Sequence, residues 1–309
     1  MSGYAVVIVL HDSAADLRRL LDSLRAADPR PAQVIVVDAG SADHGPQVGR
    51  DAGCLVIEAG DVGFGAANNA GVAAVTAPVT ILLNPDVVVT DPAALGRLAS
   101  LATAAGALHV PRLLNDDGSI QDSAHPLPGS PAALAASLLP ARLLGGGVLP
   151  WRSRRPRRAG WAIAAAVAAR TATLRDLGPF DPGQFLFFED LDLCLRAAGK
   201  GVPTLLDPRI ELVHSGAHST GPAYGGEPHE LLARRRREVV AAQLGPASLR
   251  RDDAIQALTF SRAALLRTLT GRGAARPRAQ LRALRAARAG VPGTSGGPGT
   301  PGTPGAGPR

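Results

Sequence analysis

The sequence predicts an α/β fold in which a mostly parallel central sheet carries helices on both faces. Short apolar segments rich in β-branched residues alternate with segments whose leucines recur at helical spacing. Residues 5–10 form the first apolar run, and Leu17, Leu20, Leu21 and Leu24 follow at the spacing of one helix face. Because parallel strands are buried on both faces, uninterrupted apolar runs of this length are typical of such a sheet.

The later elements follow the same alternation. Strands are expected at residues 34–37, 55–57, 79–83, 107–110, 160–169, 202–206 and 211–214. Helices are expected at residues 66–75, 95–102 and 189–199, and again in the arginine-rich segment 229–287. Between them, Pro, Gly and Arg interrupt every pattern in residues 115–158, which predicts a long surface loop.

Composition divides the 309-residue chain into three parts and indicates which kinds of partner it binds. We expect an α/β domain over residues 1–220, a basic helical region over 221–289 and a disordered Gly/Pro/Thr tail over 290–309. The net charge of +7 suits an anionic partner such as a phosphate, a diphosphate or a membrane surface. Nucleic acid is not expected as a partner, because the basic runs lack interleaved aromatic residues and a recognisable binding module.

The location predicted for the chain is cytoplasmic, with peripheral attachment to the inner face of the cell membrane as a further expectation. Cys54 and Cys194 lie far apart in apolar surroundings and without metal-ligand spacing, so free thiols in a reducing compartment are expected. The N-terminus lacks a basic region before its apolar run, which argues against a signal peptide. No uninterrupted apolar run reaches the roughly 18 residues that would indicate a membrane span.

Acidic residues follow three of the predicted strands. Asp12, Asp38 and Asp86 are therefore expected at one edge of a parallel sheet, where open α/β sheets bind ligands. Pro85 ends its strand and leaves the Asn84 amide and the Asp86 carboxylate at that edge. Asp86 would suit Mg²⁺ or Mn²⁺ on a nucleoside diphosphate, and Asp38 would accept a hydrogen bond from a base or ribose. The alternative is that these acids only cap helices.

A second acidic group begins the predicted helix at residue 189. Glu189, Asp190 and Asp192 follow an aromatic run, which predicts a partly desolvated site where a carboxylate pKa is raised enough for general-base catalysis. We expect Asp190 to be that base and Glu189 to bind acceptor hydroxyls; the alternative is stabilisation by the helix dipole alone. His214 ends another strand, either as a structural residue or as a ligand of the same cation.

Five stretches in order resemble one protein family: VVIVLHDSAADLRRLLDSL, VIVVDAGSADHG, DVGFGAANNAGV, ILLNPDVVV and LGPFDPGQFLFFEDLDLCLRAAGKG. The chain from residue 4 to residue 219 is similar to the family 2 glycosyltransferases with a GT-A fold. The nearest likeness is to bacterial rhamnosyltransferase-like and galactofuranosyltransferase-like members that build cell-wall and surface polysaccharides. The resemblance implies an inverting transfer of such a sugar from a dTDP- or UDP-sugar to a hydroxyl of a glycan or polyprenyl-diphosphate-linked acceptor.

The resemblance also implies roles for the donor residues. Asp38 would bind the pyrimidine base, with Asp12, Gly65 and Asn68 as further donor-binding residues. Residues 84–86, Asn-Pro-Asp, stand in the place of the family's Asp-x-Asp metal motif.

For the metal, the resemblance implies a divalent cation held by Asp86 and by His214. Asp190 would be the catalytic base of a single displacement.

On the acceptor side we expect Trp161 and three arginines, Arg154, Arg155 and Arg157, to contact the acceptor or its phosphates. Two further stretches are basic: four arginines at residues 234–237 and the leucine- and arginine-rich segment 254–289. Each either forms a solvated or packed face, or contacts lipid phosphate and an anionic membrane.

Two other function classes remain open. One is a catalytically degenerate GT-A protein that binds nucleotide sugars or acts as a scaffold, which Ala39, Asp61 and Asn84 favour because they depart from the family pattern. The other is a nucleotidyltransferase, which would require a glycine-rich basic phosphate loop where HDSAAD follows the first strand.

Overall fold

Nine strands form one central sheet in the computed structural model, which describes residues 3–181, 186–216 and 228–290. The strands of the protein are β1 (Tyr4–Leu10), β2 (Gln33–Asp38), β3 (Leu55–Glu58), β4 (Val79–Leu83), β5 (Val87–Val88), β6 (Leu108–Leu114), β7 (Ala124–His125), β8 (Arg157–Ala159), β9 (Trp161–Ala162), β10 (Ala166–Arg170) and β11 (Thr204–His214). The order across the sheet is β3-β2-β1-β4-β10-β6-β11-β5, with β8 paired to β11. Strands β7 and β9 form a separate pair.

Helices cover both faces of this sheet. They are α1 (Ala14–Arg25), α2 (Gly45–Asp51), α3 (Gly63–Ala74), α4 (Ala94–Ala104), α5 (Pro131–Leu138), α6 (Thr171–Leu177), α7 (Glu189–Gly199), α8 (His229–Leu269) and α9 (Ala275–Arg288). Helices α1, α2 and α4 contribute to the hydrophobic core on one face, and α3, α6, α7 and α8 to the core on the other. The expected α/β class with helices on both faces is therefore confirmed.

Strand β1 shows why the sheet is central. All seven of its residues are buried. Because side chains alternate along a strand, Ala5, Val7 and Val9 enter one core, while Val6 and Ile8 enter the other. The apolar run at the start of the chain therefore joins the two cores.

The register of the parallel strands sets the position of their ends. Leu10 of β1 lies opposite Asp38 of β2, and Ile8 of β1 lies opposite Leu83 of β4. The chain segments that follow these strands consequently leave the sheet at one edge, as the sequence predicted. We call this the donor edge.

The sheet is mixed where the sequence predicted it to be mostly parallel. Strand β10 runs antiparallel to both of its neighbours, β4 and β6. The single strand expected at residues 160–169 is two: β9 pairs with β7, and β10 joins the central sheet. The chain turns between them at residues 163–165, where the backbone N–H of Asn84 donates to the carbonyl of Ala165 at 2.9 Å.

Residues 115–158 hold more regular structure than expected. They contain β7, α5, two single-turn 3-10 helices (Ala141–Leu143 and Pro150–Arg152) and the start of β8. Ser130 caps α5, because its Oγ accepts from the backbone N–H of Ala133 at 3.2 Å, and Pro131 occupies the first helical position. The Ser-Pro start signal was therefore present in the sequence, masked by the prolines and glycines around it.

The C-terminal helices fold back on each other. Helix α8 is interrupted at Gly245, whose φ of 78° is non-helical, and Pro246 follows. The Arg236 guanidinium donates to both carboxylate oxygens of Asp252 at 2.8 and 2.9 Å. In a straight helix those residues would lie about 24 Å apart along the axis, so the two parts of α8 form a hairpin.

Helix α9 then packs back along the second part of α8, with Arg288 at 3.8 Å from Asp253. No helix in the described ranges is both long enough and apolar enough to cross a bilayer. The expected domain boundary at residue 220 and all but the first residue of the expected tail, 290–309, lie outside the described residues.

This hairpin engages the arginine run at residues 234–237. Arg234 and Arg235 pair with Glu238 at 3.8 and 3.0 Å, Arg236 pairs with Asp252, and Arg237 pairs with Asp253. The run is thus mainly an internal ion-pair network of the protein, which a sequence without tertiary contacts could not reveal.

The packing of α3 on the sheet can be tested at Gly71. A Cβ there would lie 2.3 Å from Cγ1 of Val7 and 3.0 Å from Cγ2 of Val37. Alanine favours a helix over glycine by about 1 kcal/mol, but overpacking costs about 1 to 3 kcal/mol. We therefore expect Gly71→Ala to lower the free energy of unfolding, measured by urea denaturation. Gly199→Ala is the matched control, because open space surrounds that helical glycine; equal stability of both variants would contradict this packing.

Candidate active site

The donor edge brings Asp12, Asp38 and Asp86 together at the ends of β1, β2 and β4. Asp38 is the last residue of β2 and is buried, and its Oδ1 accepts from the backbone N–H of Ser41 at 3.2 Å. A buried carboxylate with one such hydrogen bond retains acceptor capacity for a ligand.

Asp12 organises the loop beside Asp38. Its Oδ1 accepts from the backbone N–H groups of Ala42 and Asp43 at 2.7 and 3.3 Å, and its own N–H donates to Oγ of Ser41. Asp43 in turn accepts from the backbone N–H of Ala14 at 2.8 Å, at the start of α1. Asp43 thus caps α1, as the helix-capping alternative predicts, whereas Asp12 holds the loop at residues 41–43 at the donor edge.

Asp86 and His214 form the closest pair of candidate metal ligands. Nε2 of His214 lies 3.3 Å from Oδ1 of Asp86, and both side chains are largely buried. Strand β5 creates this contact, because Val87 pairs with His214 in the sheet. Burial alone would raise the pKa of Asp86, but the hydrogen bond and charge of His214 outweigh it and lower that pKa below its usual range.

Gln121 orients the His214 ring. Its Oε1 lies 2.9 Å from Nδ1 of His214, and its Nε2 donates to Oδ1 of Asn115 at 3.2 Å. An amide oxygen only accepts, so Nδ1 carries a proton, and Nε2 is the ring nitrogen directed at Asp86. The sequence analysis missed Gln121, because it lies 93 residues from His214 in an unpatterned segment.

These residues fit a divalent cation. A carboxylate and an imidazole converge, and the buried side-chain oxygen of Asn84 has no hydrogen-bond partner. Oxygen and nitrogen donors of this kind suit Mn²⁺ and Mg²⁺. Within the described ranges no group of three or more His, Cys, Asp or Glu side chains converges, so further ligands would come from amide oxygens, water or substrate phosphate.

Glu189 and Asp190 begin α7 and are desolvated, as the aromatic run before them predicted. Burial raises the pKa of Asp190 to about 6, although backbone hydrogen bonds from Leu191 and Ala164 partly offset this effect by lowering the pKa. Burial also raises the pKa of Glu189 to about 8, with the charge of Asp190 adding to that effect. Oε2 of Glu189 is buried and has no hydrogen-bond partner.

Backbone contacts connect this pair to the donor edge. The Asp190 carboxylate accepts from Ala164, and the next residue, Ala165, accepts from the N–H of Asn84. Asp190 therefore lies beside the segment that carries Asn84 and Asp86. Residues 164 and 165 thus connect two parts of the predicted site that are distant in sequence.

The backbone just before Glu189 is strained. Phe187 and Phe188 have φ values of 72° and 63°, in the left-handed region that bulky residues avoid. The Phe188 ring lies under the Arg236 guanidinium, 5.8 Å from its centroid, and 6.3 Å from the Trp161 ring. Such strain persists only where packing holds it, and it is typical of active sites.

Asp192, the third acid of the group, has a structural role. It is buried, accepts from Nε of Arg196 at 2.6 Å and from Nε2 of Gln243 at 2.8 Å. Arg196 also donates to the carbonyl of Leu177 at 2.6 Å. These bonds join α7 to α8 and to the chain after α6, so Asp192 is neither an exposed cap nor an open ligand.

Gly65 and Asn68 lie on the buried face of α3. A Cβ at Gly65 would lie 3.0 Å from Cβ of Phe180, and Nδ2 of Asn68 donates to the carbonyl of Phe64 at 3.0 Å. The structure thus gives both residues packing roles, and their contact with a donor stays a prediction.

The residues expected on the acceptor side do not gather at the donor edge. Trp161 stacks on His125 at 4.2 Å between ring centroids and is only 8% exposed, so its flat faces offer little room for an acceptor. Arg157 lies opposite Leu206 in β11, and a bulge between Asp207 and Glu211 leaves about five residues of strand rise, or about 16 Å, from Leu206 to His214. It is therefore remote from the metal ligands. Arg154 and Arg155 are exposed just before it.

Comparisons with known proteins bear on this architecture. Residues 5–135 match the family described as glycosyl transferase family 2. The N-acetylglucosaminyl-diphospho-decaprenol L-rhamnosyltransferase of Mycobacterium tuberculosis, in strains CDC 1551 / Oshkosh and H37Rv, is 30% identical over 245 residues. That alignment covers 70% of this chain and 77% of the relative.

Solved structures share the fold at low identity. The mannosyltransferase PcManGT from Pyrobaculum calidifontis, in complex with GDP-Man and Mn²⁺, has a TM-score of 0.57 at 15% identity, covering 94% of this chain and 87% of its own. Glucosyl-3-phosphoglycerate synthase from Mycobacterium tuberculosis has a TM-score of 0.51 at 15% identity, with coverages of 79% and 81%. The chain is a glycosyltransferase with the GT-A fold and belongs to glycosyltransferase family 2.

Proposed function

We propose that this glycosyltransferase transfers a rhamnose-like or galactofuranose-like sugar, with inversion, from a dTDP- or UDP-sugar to a polyprenyl-diphosphate-linked acceptor. The observation that carries the proposal is the position of Asp190, a carboxylate of raised pKa beside the Asn84 to Asp86 segment. The name of the Mycobacterium tuberculosis relative supports the sugar and the acceptor class, since it specifies a rhamnosyltransferase acting on N-acetylglucosaminyl-diphospho-decaprenol.

In the proposed mechanism Asp190 is the general base. With a pKa of about 6 it is mostly ionised at neutral pH, yet it is basic enough to accept the proton of the attacking acceptor hydroxyl. The hydroxyl oxygen bonds to the anomeric carbon as the bond from that carbon to the nucleoside diphosphate breaks. Attack opposite the leaving group in a single step inverts the configuration. Glu189, mostly protonated at neutral pH, has an unpartnered Oε2 with which to bind an acceptor hydroxyl.

Donor binding falls to the residues of the donor edge. Asp38 would accept from the N–H of a pyrimidine base, and Asp12 keeps the loop at residues 41–43 in place beside it. Asp86 and His214 would hold a divalent cation, which when bound stabilises the negative charge of the departing diphosphate.

A binding or scaffold protein without catalysis is the second candidate. Asp61 favours it, because it brings a negative charge near Asp38. Its backbone nitrogen lies 3.1 Å from the position that a Cβ on Gly40 would occupy, and Gly40 is two residues after Asp38. Measured turnover with a pyrimidine nucleotide sugar would eliminate this candidate.

Replacing Asp190 by Asn tests the base. We expect transfer to fall by about 10² to 10⁴-fold, as for loss of a general base. Donor affinity, measured by calorimetry, should stay near that of the wild type. Asp176→Asn is the control, because that aspartate is exposed on α6. Unchanged turnover in Asp190→Asn would remove Asp190 from this role.

The pH dependence of kcat/KM provides an independent test. Because the base must be ionised, kcat/KM should fall about tenfold per pH unit below pH 6. Stability should change in the opposite sense. The folded protein holds a proton on Asp190 that the unfolded chain releases near pH 4, so the contribution of Asp190 to the free energy of unfolding decreases as pH rises from about 4 to 6. A kcat/KM that does not change between about pH 4.5 and about pH 7, a range that includes this pKa, would contradict the assignment.

The cation site is tested through Gln121. Loss of a hydrogen bond that orients a metal-bound histidine lowers metal affinity by about 10 to 100-fold. We expect Gln121→Ala to weaken Mn²⁺-dependent binding of UDP or dTDP to that extent in calorimetric titrations, and His214→Ala to weaken it at least as much. Gln47→Ala is the control, since Gln47 bonds to Asp51 on the exposed face of α2. Equal affinities in all three variants would rule out the Asp86 and His214 site.

A further inference from the structure

Helices α5 and α8 expose a surface of eight leucines, which we call the leucine face. Four belong to the second part of α8 and four to α5 and the residues after it. They are Leu134, Leu138, Leu139, Leu143, Leu258, Leu265, Leu266 and Leu269. The most exposed are Leu269 at 73% and Leu143 at 66%, values unusual for large apolar side chains that serve only to stabilise a fold.

The leucine face is continuous across the two helices. On α8, Leu258, Leu265 and Leu269 follow helical spacing along one face, with Arg262 between them. The Arg262 guanidinium donates to the carbonyl of Leu138 at 3.3 Å, which joins that face to the end of α5. At the start of α5, Gly129 packs closely on the carbonyl of Ser248, so the two helices run side by side.

The two segments that carry the leucine face contain charged side chains of one sign. Residues 254–290 contain eight arginines and no aspartate or glutamate, and residues 123–158 contain six arginines and likewise no acid. Exposed members of these groups include Arg142, Arg267 and Arg272. An apolar face surrounded by arginines complements an anionic lipid surface, in which leucines enter the acyl region and guanidinium groups contact phosphates.

The geometry points to the leucine face as the surface by which this protein binds an anionic lipid bilayer. Helix α8 also connects this surface to the active site. Arg236 lies over Phe188, beside Glu189, and pairs with Asp252 in the second part of the same helix. From Asp252, the helical rise places Leu258 about 9 Å and Leu269 about 26 Å further along. The leucine face therefore begins about 9 Å along α8 from the Arg236–Asp252 pair, whose arginine lies over Phe188 beside Glu189.

This membrane-binding surface differs from the surface that the arginine runs alone would suggest. The four arginines at residues 234–237 are engaged by Glu238, Asp252 and Asp253. Arg236 and Arg237, whose side chains are at most 20% exposed, are therefore poor candidates for contacts with lipid phosphates. The segment 254–290 itself provides eight arginines and no carboxylate, and Arg288 lies 3.8 Å from Asp253.

Vesicle sedimentation with the full chain tests the proposal without nucleotide or acceptor, so its result is independent of the proposed function. We expect binding to equimolar phosphatidylcholine–phosphatidylglycerol vesicles to exceed binding to phosphatidylcholine vesicles by about tenfold, and to weaken with added salt. The double variant Leu265→Ser, Leu269→Ser should lose about tenfold of that binding. Leu55→Ser is the matched control, because Leu55 is 51% exposed on β3, away from the leucine face.

The other outcomes overturn the proposal. Unchanged binding of the double leucine variant would show that the leucine face is not involved, and equal binding to both vesicle types would exclude an anionic preference. Lipid-free sedimentation velocity distinguishes a second copy of the chain: a wild-type dimer that the double variant converts to a monomer would make this face a protein interface. If the leucine variant fails to fold, Arg267→Gln with Arg272→Gln still tests the proposal, with about tenfold weaker binding to anionic vesicles expected.

Discussion

The candidate active site depends on one backbone hydrogen bond, from the N–H of Asn84 to the carbonyl of Ala165. Its net contribution to stability is about 1 kcal/mol, as for other amide bonds, but its position matters more. It holds the end of β4 against the turn that precedes β10, and the adjacent Ala164 donates to Asp190. A parallel strand in place of β10 would begin at the far edge of the sheet, and the carboxylate of Asp190 would then lack this anchor.

That arrangement stores unfavourable energy that the rest of the fold must offset. Glu189 and Asp190 are desolvated neighbours with raised pKa values, and Phe187 and Phe188 hold left-handed backbone conformations. The buried Asp192 compensates, because it bonds both Arg196 of its own helix and Gln243 of α8. The C-terminal hairpin is therefore part of the support of the active site, and the site would be expected to weaken if α8 were removed.

Much of the fold and part of the site follow from local sequence. The structural effects of the apolar runs, of the acids at strand ends and of Pro85 depend on residues adjacent in sequence. These features therefore predicted the donor edge and the desolvated acids of α7. Tertiary pairing decided the rest. The alanine-rich stretch at residues 160–169 has no period that marks its turn, and Gln121 becomes relevant only because β11 brings His214 to it. The Gly245-Pro246 pair did signal a break, but only the contact of Arg236 with Asp252 reveals the reversal.

The same reversal relates catalysis to the proposed membrane surface. Without the break at Gly245, α8 would be one helix about 60 Å long at the usual helical rise, and its leucines would lie away from α7. With the break, Arg236 and Asp252 meet, and the leucines lie alongside α5. An acceptor whose lipid remains in the bilayer can extend only its head group toward an enzyme. A site beside the bound face needs less extension of that head group than a site on the opposite side, so the hairpin suits the acceptor class proposed for this enzyme.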